Sequence, residues 1–385
     1  MILNVSYKLT VGGWSVNSAD DARTELVALE AHTAMNTPVG GCRVVVYAPP
    51  PPEPGLLEAA AGATAEALGF GGNGSASEGP PVKVRGQDIK YDDPVSIDLS
   101  AGDASGTVMT AQVRAFRSSL GLTTLTGRTA LQTLAQTRLN QVYENQSMKQ
   151  IVEDLAGQAG VTPGEIDTGA TYPYLVVHEA KTVLRHVLDL ADRDSLDLYV
   201  DTDGKLTLKK FTKTSADHTF HFGIDVLDLH MHYHAPPTEL VRVYGESPSS
   251  QQGSETWHWL AKDLAPFQSE VGEGGRVLAV QDGALRTKDA ADQRATALYG
   301  AIQDGAAAGR LKLLGHPTLQ LGDAIEIKQA PYPALDGLFK VVAVRHVFTK
   351  QDGYLTYVGF TGQGGADAAG GLLGSLGGLA GGLGL

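Results

Sequence analysis

Three histidines that alternate with other side chains are the residues of this sequence best spaced for metal chemistry. His230, His232 and His234 occur in the segment DLHMHYH, and on a β-strand all three would point to the same side. Three imidazoles on one face can bind zinc or iron, and His218 and His221 lie nearby. A polar strand face at a subunit interface, or an interface that responds to pH through histidine titration, explains the same pattern. We predict no bound metal and no cofactor, and these three histidines are the candidate ligands if a metal is present.

Paired carboxylates are the second arrangement that could do chemistry. A glycosidase needs two of them beside a sugar, one with a raised pKa, and Glu165 with Asp167 and Asp192 with Asp194 are close pairs. All four lie at predicted helix or loop ends, where acidic residues cap helices or remain solvated. No Ser-His-Asp or Cys-His order stands out either. We therefore predict no catalytic residues, and a peptidoglycan hydrolase is the enzymatic alternative.

Two tryptophans could bind a sugar by stacking. Trp257 and Trp259, in SETWHWLAKDL, alternate as they would on a strand, which motivates a carbohydrate-binding adhesin module as another alternative. Packing in a core or an interface, where large aromatic side chains contribute most, explains the pair equally simply. We favour the packing interpretation.

The segment from Tyr143 to Phe211 carries the clearest order of predicted elements. Ser147 and Gln150 have the spacing of a capping box, and apolar residues at helical spacing follow until Gly160 and Pro163. The next elements are an extended segment, a second helical stripe and a hairpin: Tyr174 to Val177, Val183 to Ala191, and Leu196 to Phe211 with the turn Asp201 to Gly204. The predicted order is helix, strand, helix, hairpin.

This order, written out as VYENQSMKQIVEDLAGQAGV…PYLVVHEAKTVLRHVLDLADRDSLDLYVDTDGKLTLKKF, resembles the phage late-control gene D family. That family includes the central hubs of contractile-tail baseplates and the hub part of VgrG proteins in type VI secretion. The resemblance resumes in LLGHPTLQLGDAIEIKQAP…LDGLFKVVAVRHVFTKQDGYLTYVGF, which looks like the family's closing barrel. One departure is Ser195, which stands where a glycine is expected between helix and hairpin.

The resemblance implies both an architecture and a role. The implied fold is mainly β with an α+β insertion: two tube-protein-like β-barrel domains and a helix-and-hairpin domain, assembled as a homotrimeric ring. The implied role is structural, as the hub that joins a hexameric inner tube to a trimeric spike. The expected partners are further copies of the chain, the inner tube protein, a separate spike protein and other baseplate components. Family members of the VgrG type continue into an OB-fold and a β-helical needle, and this sequence shows no such repeats.

Two distant segments of the chain are similar to each other. Gly106 to Arg114 and Gly337 to Arg345 share the same offset from glycine to Val-Arg, and each follows an alternating strand after a turn signal. Two hairpins in β-rich domains can look alike by chance. If the similarity reflects two related barrels, three copies of the chain would imitate a six-membered ring, as an adaptor between a hexamer and a trimer requires.

These signals divide the chain into four parts. The predicted parts are a first barrel at 1–118 with a low-complexity insertion at 48–81, an α+β middle domain at 119–217, a second barrel at 218–363 with a helix from Lys288 to Ile302, and a Gly/Leu-rich tail at 364–385. The boundaries are placed to within a few residues.

Composition excludes several classes of function. The chain has 30 Lys and Arg against 43 Asp and Glu, a net charge of −13, so we predict no nucleic-acid binding and no docking on an anionic membrane. The single cysteine, Cys42, excludes an internal disulfide, and the strand-like run after it predicts a buried, inert thiol. The first residues lack the pattern of a signal peptide. We expect cytoplasmic assembly into a phage-like particle.

Two low-complexity segments remain. The insertion at 48–81 contains G-x-G-x-x-G at Gly69, Gly71 and Gly74, but SASEGPP follows instead of a helix, so we predict a surface loop and not a dinucleotide site. In the tail at 364–385, glycines stand four apart, the spacing by which membrane helices approach closely. A disordered tail, a segment ordered on a partner and a membrane-inserting glycine zipper all remain open, and we predict no stable membrane anchor.

Overall fold

The computed structural model describes residues 4–19, 25–38, 40–47, 82–84, 87–119, 121–248, 260–261, 268–330 and 337–362. The insertion, Trp257, Trp259 and the tail lie outside these residues. Twenty-five strands are present in the described part: β1 Val5–Val11, β2 Trp14–Asn17, β3 Leu26–Ala34, β4 Gly41–Tyr47, β5 Val82–Val84, β6 Gln87–Ile89, β7 Pro94–Ala101, β8 Ala104–Ser119, β9 Leu122–Arg128, β10 Gln141–Ser147, β11 Pro163–Ile166, β12 Thr171–Val177, β13 Asp197–Val200, β14 Leu206–Lys209, β15 His218–His221, β16 Val226–Tyr233, β17 Leu240–Tyr244, β18 Ser247–Pro248, β19 Leu260–Ala261, β20 Gln268–Gly272, β21 Val277–Gln281, β22 Ala307–Leu314, β23 Ala324–Lys328, β24 Gly337–Thr349 and β25 Gly353–Gly362. The helices are α1 Leu131–Gln136, α2 Met148–Gln158, α3 Val183–Arg193 and α4 Lys288–Asp304.

The middle of the chain folds as its sequence predicts. Helix α2 begins with the capping box: the Ser147 hydroxyl accepts from the Gln150 amide, and the Gln150 side chain accepts from the Ser147 amide at 2.9 Å. Strand β12, helix α3 and the hairpin β13–β14 follow in the predicted order, and Gly204 has φ +85° in the hairpin turn. The two helices bury their apolar stripes in one core with the hairpin. The helix, strand, helix, hairpin prediction is therefore confirmed.

Ser195 occupies the backbone conformation that usually requires glycine. Helix α3 ends with the Leu196 amide donating to the Ala191 carbonyl at 2.9 Å, and Ser195, just before Leu196, has φ +55°. A left-handed residue at this position is the common way to satisfy the last carbonyls of a helix. The expectation of a glycine between helix and hairpin is consistent with this conformation, which Ser195 adopts instead.

One large sheet joins the beginning and the end of the chain. Its main path runs β16-β22-β25-β24-β3-β4-β9-β8-β7-β1-β2, and β15 and β23 branch from β24, which makes thirteen strands. The central join pairs Ala343–Thr349 of β24 antiparallel with Ala28–Ala34 of β3. The mainly β fold class is confirmed, and the two strand groups that the sequence assigns to separate barrels share this sheet.

The two similar segments adopt the same local arrangement. Strand β8 lies between β7 and β9 in an antiparallel meander, and strand β24 lies between β23 and β25 in another. Each long central strand carries an irregularity in its pairing, between Val113 and Ala115 in β8 and between Val341 and Ala343 in β24. Such bulges bend a strand and increase its twist.

Alternation along the strands separates a buried face from an open one. The buried face supplies two cores, and each core takes residues from both ends of the chain: Phe348 and Tyr354 join the N-terminal core, and Met35 joins the C-terminal core. Cys42 lies in the first of these, where burial raises the pKa of its thiol to about 11. The prediction of a buried, unreactive thiol is confirmed.

Ion pairs connect the middle unit to a fourth core, formed by α4 and the small sheet β20-β17-β21. The Arg193 guanidinium donates to both carboxylate oxygens of Asp282, at 2.8 and 3.3 Å. Burial alone would raise the pKa of Asp282, but its contacts with Arg193 outweigh burial and lower it. The buried Arg294 pairs with Asp192 at 2.5 Å. The four-part division of the chain given above stays a prediction.

His346 is a buried imidazole within the central sheet. The Tyr354 hydroxyl lies 2.8 Å from its Nδ1, and the Thr356 hydroxyl lies 3.4 Å from the same atom. Burial lowers the pKa of His346 to about 3, and the charge of the neighbouring His316 acts in the same direction. The imidazole is therefore neutral in the folded chain at neutral pH.

Replacing Ser195 by glycine should stabilise the chain. The left-handed conformation costs an L-residue roughly 1–2 kcal/mol, and glycine avoids this cost while losing part of the gain through its freer unfolded state. We expect Ser195→Gly to raise the free energy of unfolding by about 0.5–1 kcal/mol, measured by urea denaturation. Ser147→Gly, at the extended N-cap of α2, is the control, and it should not stabilise. Equal stabilisation by both changes would contradict the argument.

Acid should destabilise the fold through His346. The unfolded imidazole has a pKa of about 6.5, so protons bind the unfolded chain more tightly. The contribution of His346 is fully present above that pH and is lost as the pH falls toward 3, at about 1.4 kcal/mol per pH unit. We expect His346→Gln to make the free energy of unfolding in urea depend less on pH between about 6.5 and 4.5, the range that begins at the ordinary pKa of histidine and extends below it. His230→Gln, at an exposed site, should leave the slope unchanged.

Candidate assembly interface

The large sheet is open at both ends of its main path. Among the residues that the structure describes, strand β16 pairs with β22 alone apart from a single bridge between Val226 and Phe222, and strand β2 pairs only with β1. An open strand edge presents unpaired backbone N–H and C=O groups that can pair with another chain. The two ends of the sheet are therefore the natural places for contact between copies.

Exposed apolar side chains collect at the start of β16. Ile224, in the turn between β15 and β16, is 72% exposed, and Phe222 and Leu227 are 37% and 50% exposed. Leu314 is also exposed, and its neighbour Leu313 pairs with Val226 next to Leu227. Grouped exposed apolar residues of this size mark contact surfaces more often than isolated ones do. We name Phe222, Ile224, Leu227 and Leu314 the β16 apolar patch.

The three alternating histidines lie on and just beyond this edge strand. His230, His232 and His234 are all exposed, while Leu229 and Met231 between them pack against the C-terminal core. His230 contacts Asp228 at 3.1 Å, and the rings of His232 and His234 are stacked with centroids 6.3 Å apart. In the described part of the chain, no three His, Cys, Asp or Glu side chains are grouped so that they could hold a metal ion.

The other two nearby histidines have different surroundings. His218 lies 3.2 Å from the Asp323 carboxylate, and its ring meets that of His316 edge-on at 4.9 Å. His221 lies 3.5 Å from Asp225. Neither contact joins them to the three histidines of β16, so the structure does not bring the five together.

The carboxylate pairs considered as catalytic candidates make structural hydrogen bonds and ion pairs. Glu165 pairs with Lys209 at 2.8 Å, and Asp167 accepts the Lys210 amide at 2.8 Å. Asp194 accepts the Ala170 amide at 2.9 Å, and burial raises the pKa of its carboxyl. Asp192 pairs with Arg294, as described above. These side chains hold loops and units together, which is the non-catalytic role expected of acids at element ends.

A polar cavity of about 350 Å³ lies where the middle unit meets the large sheet. Two carboxylates in its wall are paired with lysines: Asp197 with Lys340 at 2.9 Å and Asp323 with Lys213 at 3.2 Å. Thr129 also lines it, and its hydroxyl has no hydrogen-bond partner among the described residues. A cavity of this size with polar groups in its wall has room for water between the two units.

Trp257, Trp259, the G-x-G-x-x-G segment and the Gly/Leu tail fall outside the described residues, so their predicted roles stay predictions. No helix in the part of the chain that the structure describes is long and apolar enough to span a membrane. The sequence analysis missed the β16 apolar patch and the join between β24 and β3. The patch has a weak signal in HFGIDVLDL, where apolar residues follow a turn.

No protein-family model and no curated protein matches this chain. Several solved structures are similar to this chain. A 43 kDa tail protein of prophage MuSo2 from Shewanella oneidensis is similar with a TM-score of 0.67 and 13% identity, over 95% of this chain and 99% of that one. A tail protein from Neisseria meningitidis MC58 is similar with a TM-score of 0.64 and 12% identity, over 93% and 96%.

A third similar structure belongs to a secretion system. It is an E. coli protein described as a component of the type VI secretion system with structural similarity to T4 bacteriophage tail proteins gp27 and gp5. Its TM-score is 0.53 at 10% identity, over 93% of this chain and 77% of that one. At these identities the comparisons establish the fold: this chain has the fold seen in phage tail proteins and in a type VI secretion component.

The histidines of β16 should bind zinc poorly. His230 contacts Asp228, and among the described residues these histidines do not form a group of three that could hold a metal ion. We expect purified chain dialysed against zinc to retain less than one equivalent in elemental analysis, with no change on His232→Ala. Stoichiometric zinc that disappears in His232→Ala would establish a metal site instead.

Proposed function

We propose that three copies of this chain form a ring that serves as the central hub of a contractile injection machine or phage baseplate, joining a hexameric inner tube to a trimeric spike. The observation that carries the proposal is the large sheet with two similar meanders and two open ends. The fold shared with phage tail proteins supports it. The role is structural and not enzymatic, in keeping with the structural contacts of its acidic pairs.

The open ends favour a ring over an isolated chain. Strand β16 at one end and β2 at the other differ in sequence and surroundings, so a contact between them is head-to-tail. Head-to-tail contacts generate closed rings when the rotation between copies closes. A ring would cover the edge strands that a single chain leaves open, and it would bury the β16 apolar patch.

The two meanders provide the match to a hexamer. Three copies of the β7-β8-β9 and β23-β24-β25 meanders would give six similar units around the ring. A tube with sixfold symmetry could then make similar contacts with each unit, while a trimeric spike contacts one site per chain. Tube, spike and other baseplate components are the partners of this proposal, and assembly would take place in the cytoplasm.

The proposal is tested by the particle that the full-length chain forms. Light scattering should give the mass of a trimer, and electron microscopy should show a threefold ring with six similar lobes on one face, which binds the inner tube protein of the same particle. A chain that remains monomeric with tube and spike proteins present would contradict the proposal. Clearing of purified peptidoglycan in a zymogram would support the hydrolase alternative. Glycan binding by the isolated chain would support the adhesin alternative.

A charge placed in the β16 apolar patch should disrupt the ring. Leu227 and Val142 are both 50% exposed, but Val142 lies on the separate two-stranded sheet β10-β12. We expect Leu227→Lys to convert the trimer to monomer in light scattering, because a lysine buried at a contact without a partner is costly. Val142→Lys is the matched control and should remain trimeric. If both variants remain trimeric, the β16 apolar patch is not part of the interface.

A further inference from the structure

Among the residues that the structure describes, the outward face of the large sheet carries exposed and half-buried side chains across eight neighbouring strands, from β16 to β8. On its other side, alternate residues of the same strands fill the two cores. The register aligns one row of outward residues across seven of these strands: Lys312, Tyr357, Arg345, His32, Gly41, Arg128 and Gln112. Strands lie about 4.8 Å apart, so this row is about 29 Å long. We name this surface the open face.

The open face is basic although the chain is acidic. Apart from Lys340, which is paired with Asp197 of the middle unit at 2.9 Å, it carries six of the chain's 30 Lys and Arg residues but two of its 43 Asp and Glu residues. The basic residues are Arg43, Arg117, Arg128, Arg310, Lys312 and Arg345, and the acidic residues are Glu30 and Asp228. Alternation along the strands, which bulges interrupt in β8 and β24, sends these cations to one side, so the charge of the whole chain does not describe this surface.

Most of these cations have no anionic partner among the described residues. Arg43, Arg117 and Arg310 are exposed and make no ion pair with any described residue. Arg345 is the exception, since it contacts Glu30 at 2.8 Å. An array of exposed, unpaired guanidinium groups has free donors for an anion, and Arg is suited to phosphate because its planar fork can bind two oxygens.

An aromatic ring lies at the centre of the array. Lys312 and Arg345 lie 5.7 and 5.6 Å from the centroid of the Tyr357 ring. The ring holds the two cations apart on a rigid strand, and the neighbouring outward positions at Ala343 and Gly359 are small. No bulky side chain therefore projects from these two positions beside the Tyr357 ring, which leaves room for a wide partner to approach.

We propose that the open face binds the phosphate backbone of duplex nucleic acid without sequence preference. Protein interfaces usually have an apolar, charge-depleted centre with aromatic anchors, whereas here the charges occupy the centre. Contacts of Arg and Lys with phosphate need no such anchor and supply most of non-specific affinity. The proposal revises the expectation from net charge, and it does not require the ring, because the face is open in a single chain.

The acidic remainder of the chain limits the strength of this binding. Its negative charge repels a polyanion at distances beyond the screening length, which is about 8 Å at physiological salt. We therefore expect affinity in the range of non-specific binding, with Kd of about 10⁻⁴ to 10⁻⁶ M at physiological salt, and tighter binding as salt is lowered.

The experiment is fluorescence anisotropy of a labelled duplex of about 30 base pairs, titrated with the full-length chain at about 50 and 200 mM salt. The test variant is Arg43→Gln, Arg117→Gln and Arg310→Gln combined, the three exposed arginines without an ion pair among the described residues. The matched control combines Lys149→Gln, Lys205→Gln and Lys288→Gln, which removes the same charge from side chains that are 43%, 48% and 51% exposed elsewhere. We expect the test variant to weaken binding about tenfold or more and to reduce the salt slope by about 3, one for each lost phosphate contact. The control should change the affinity by less than about twofold.

Several results would overturn the proposal. These are absence of duplex binding at low salt, equal losses in the test and control variants, and a strong preference between two duplexes of different sequence. Equal binding of poly-glutamate would assign the face to an acidic protein surface. If the duplex does not bind but the test variant has a lower mass in light scattering, the face is a contact between copies. Circular dichroism and urea unfolding of both variants check that each one folds.

Discussion

The pairing of β24 with β3 is the interaction on which the rest of the structure depends, because it joins the last strands of the chain to the first. Seven residue pairs, from Ala343 with Ala34 to Thr349 with Ala28, form this join. Its outward side is reinforced by Arg345 and Glu30, which are 315 positions apart in the sequence. On the inward side, Phe348 packs 5.0 Å from Tyr7, ring to ring. Without this join the sheet would divide into two smaller ones, each with one more open edge.

Joining the two halves also determines where polar groups can lie. The inward side of the join is buried, so a polar side chain there must find a partner or remain neutral. His346 meets this condition through Tyr354 and a strongly lowered pKa. The outward side has no such condition, and charged residues accumulate on it. The contrast between a neutral buried histidine and exposed arginines on the other face of the same sheet follows from the two-residue repeat of a β-strand.

Local signals allowed parts of the fold to be predicted from the sequence. The capping box at Ser147, the turn at Gly204 and the helical stripe of α3 each depend on residues within a few positions of one another, and all three are confirmed. Even the unusual Ser195 was identified as a position that favours glycine. The join between β24 and β3 has no local signal, because alternation in each strand is compatible with many partners and does not specify which strand is adjacent.

The same distinction explains why net charge does not describe the charge of the open face. Net charge sums all residues, whereas a binding surface depends on which side of a strand each residue faces and on which strands are neighbours. The spacing of Arg310 and Lys312 in GRLKLL showed that both would face one side of their strand. It could not show that β25 and β24 would place Tyr357 and Arg345 beside them, since that depends on the long-range register. The basic open face is therefore a consequence of the topology, because the pairing of β24 with β3 that unites the two halves of the sheet also brings these charged residues onto one surface.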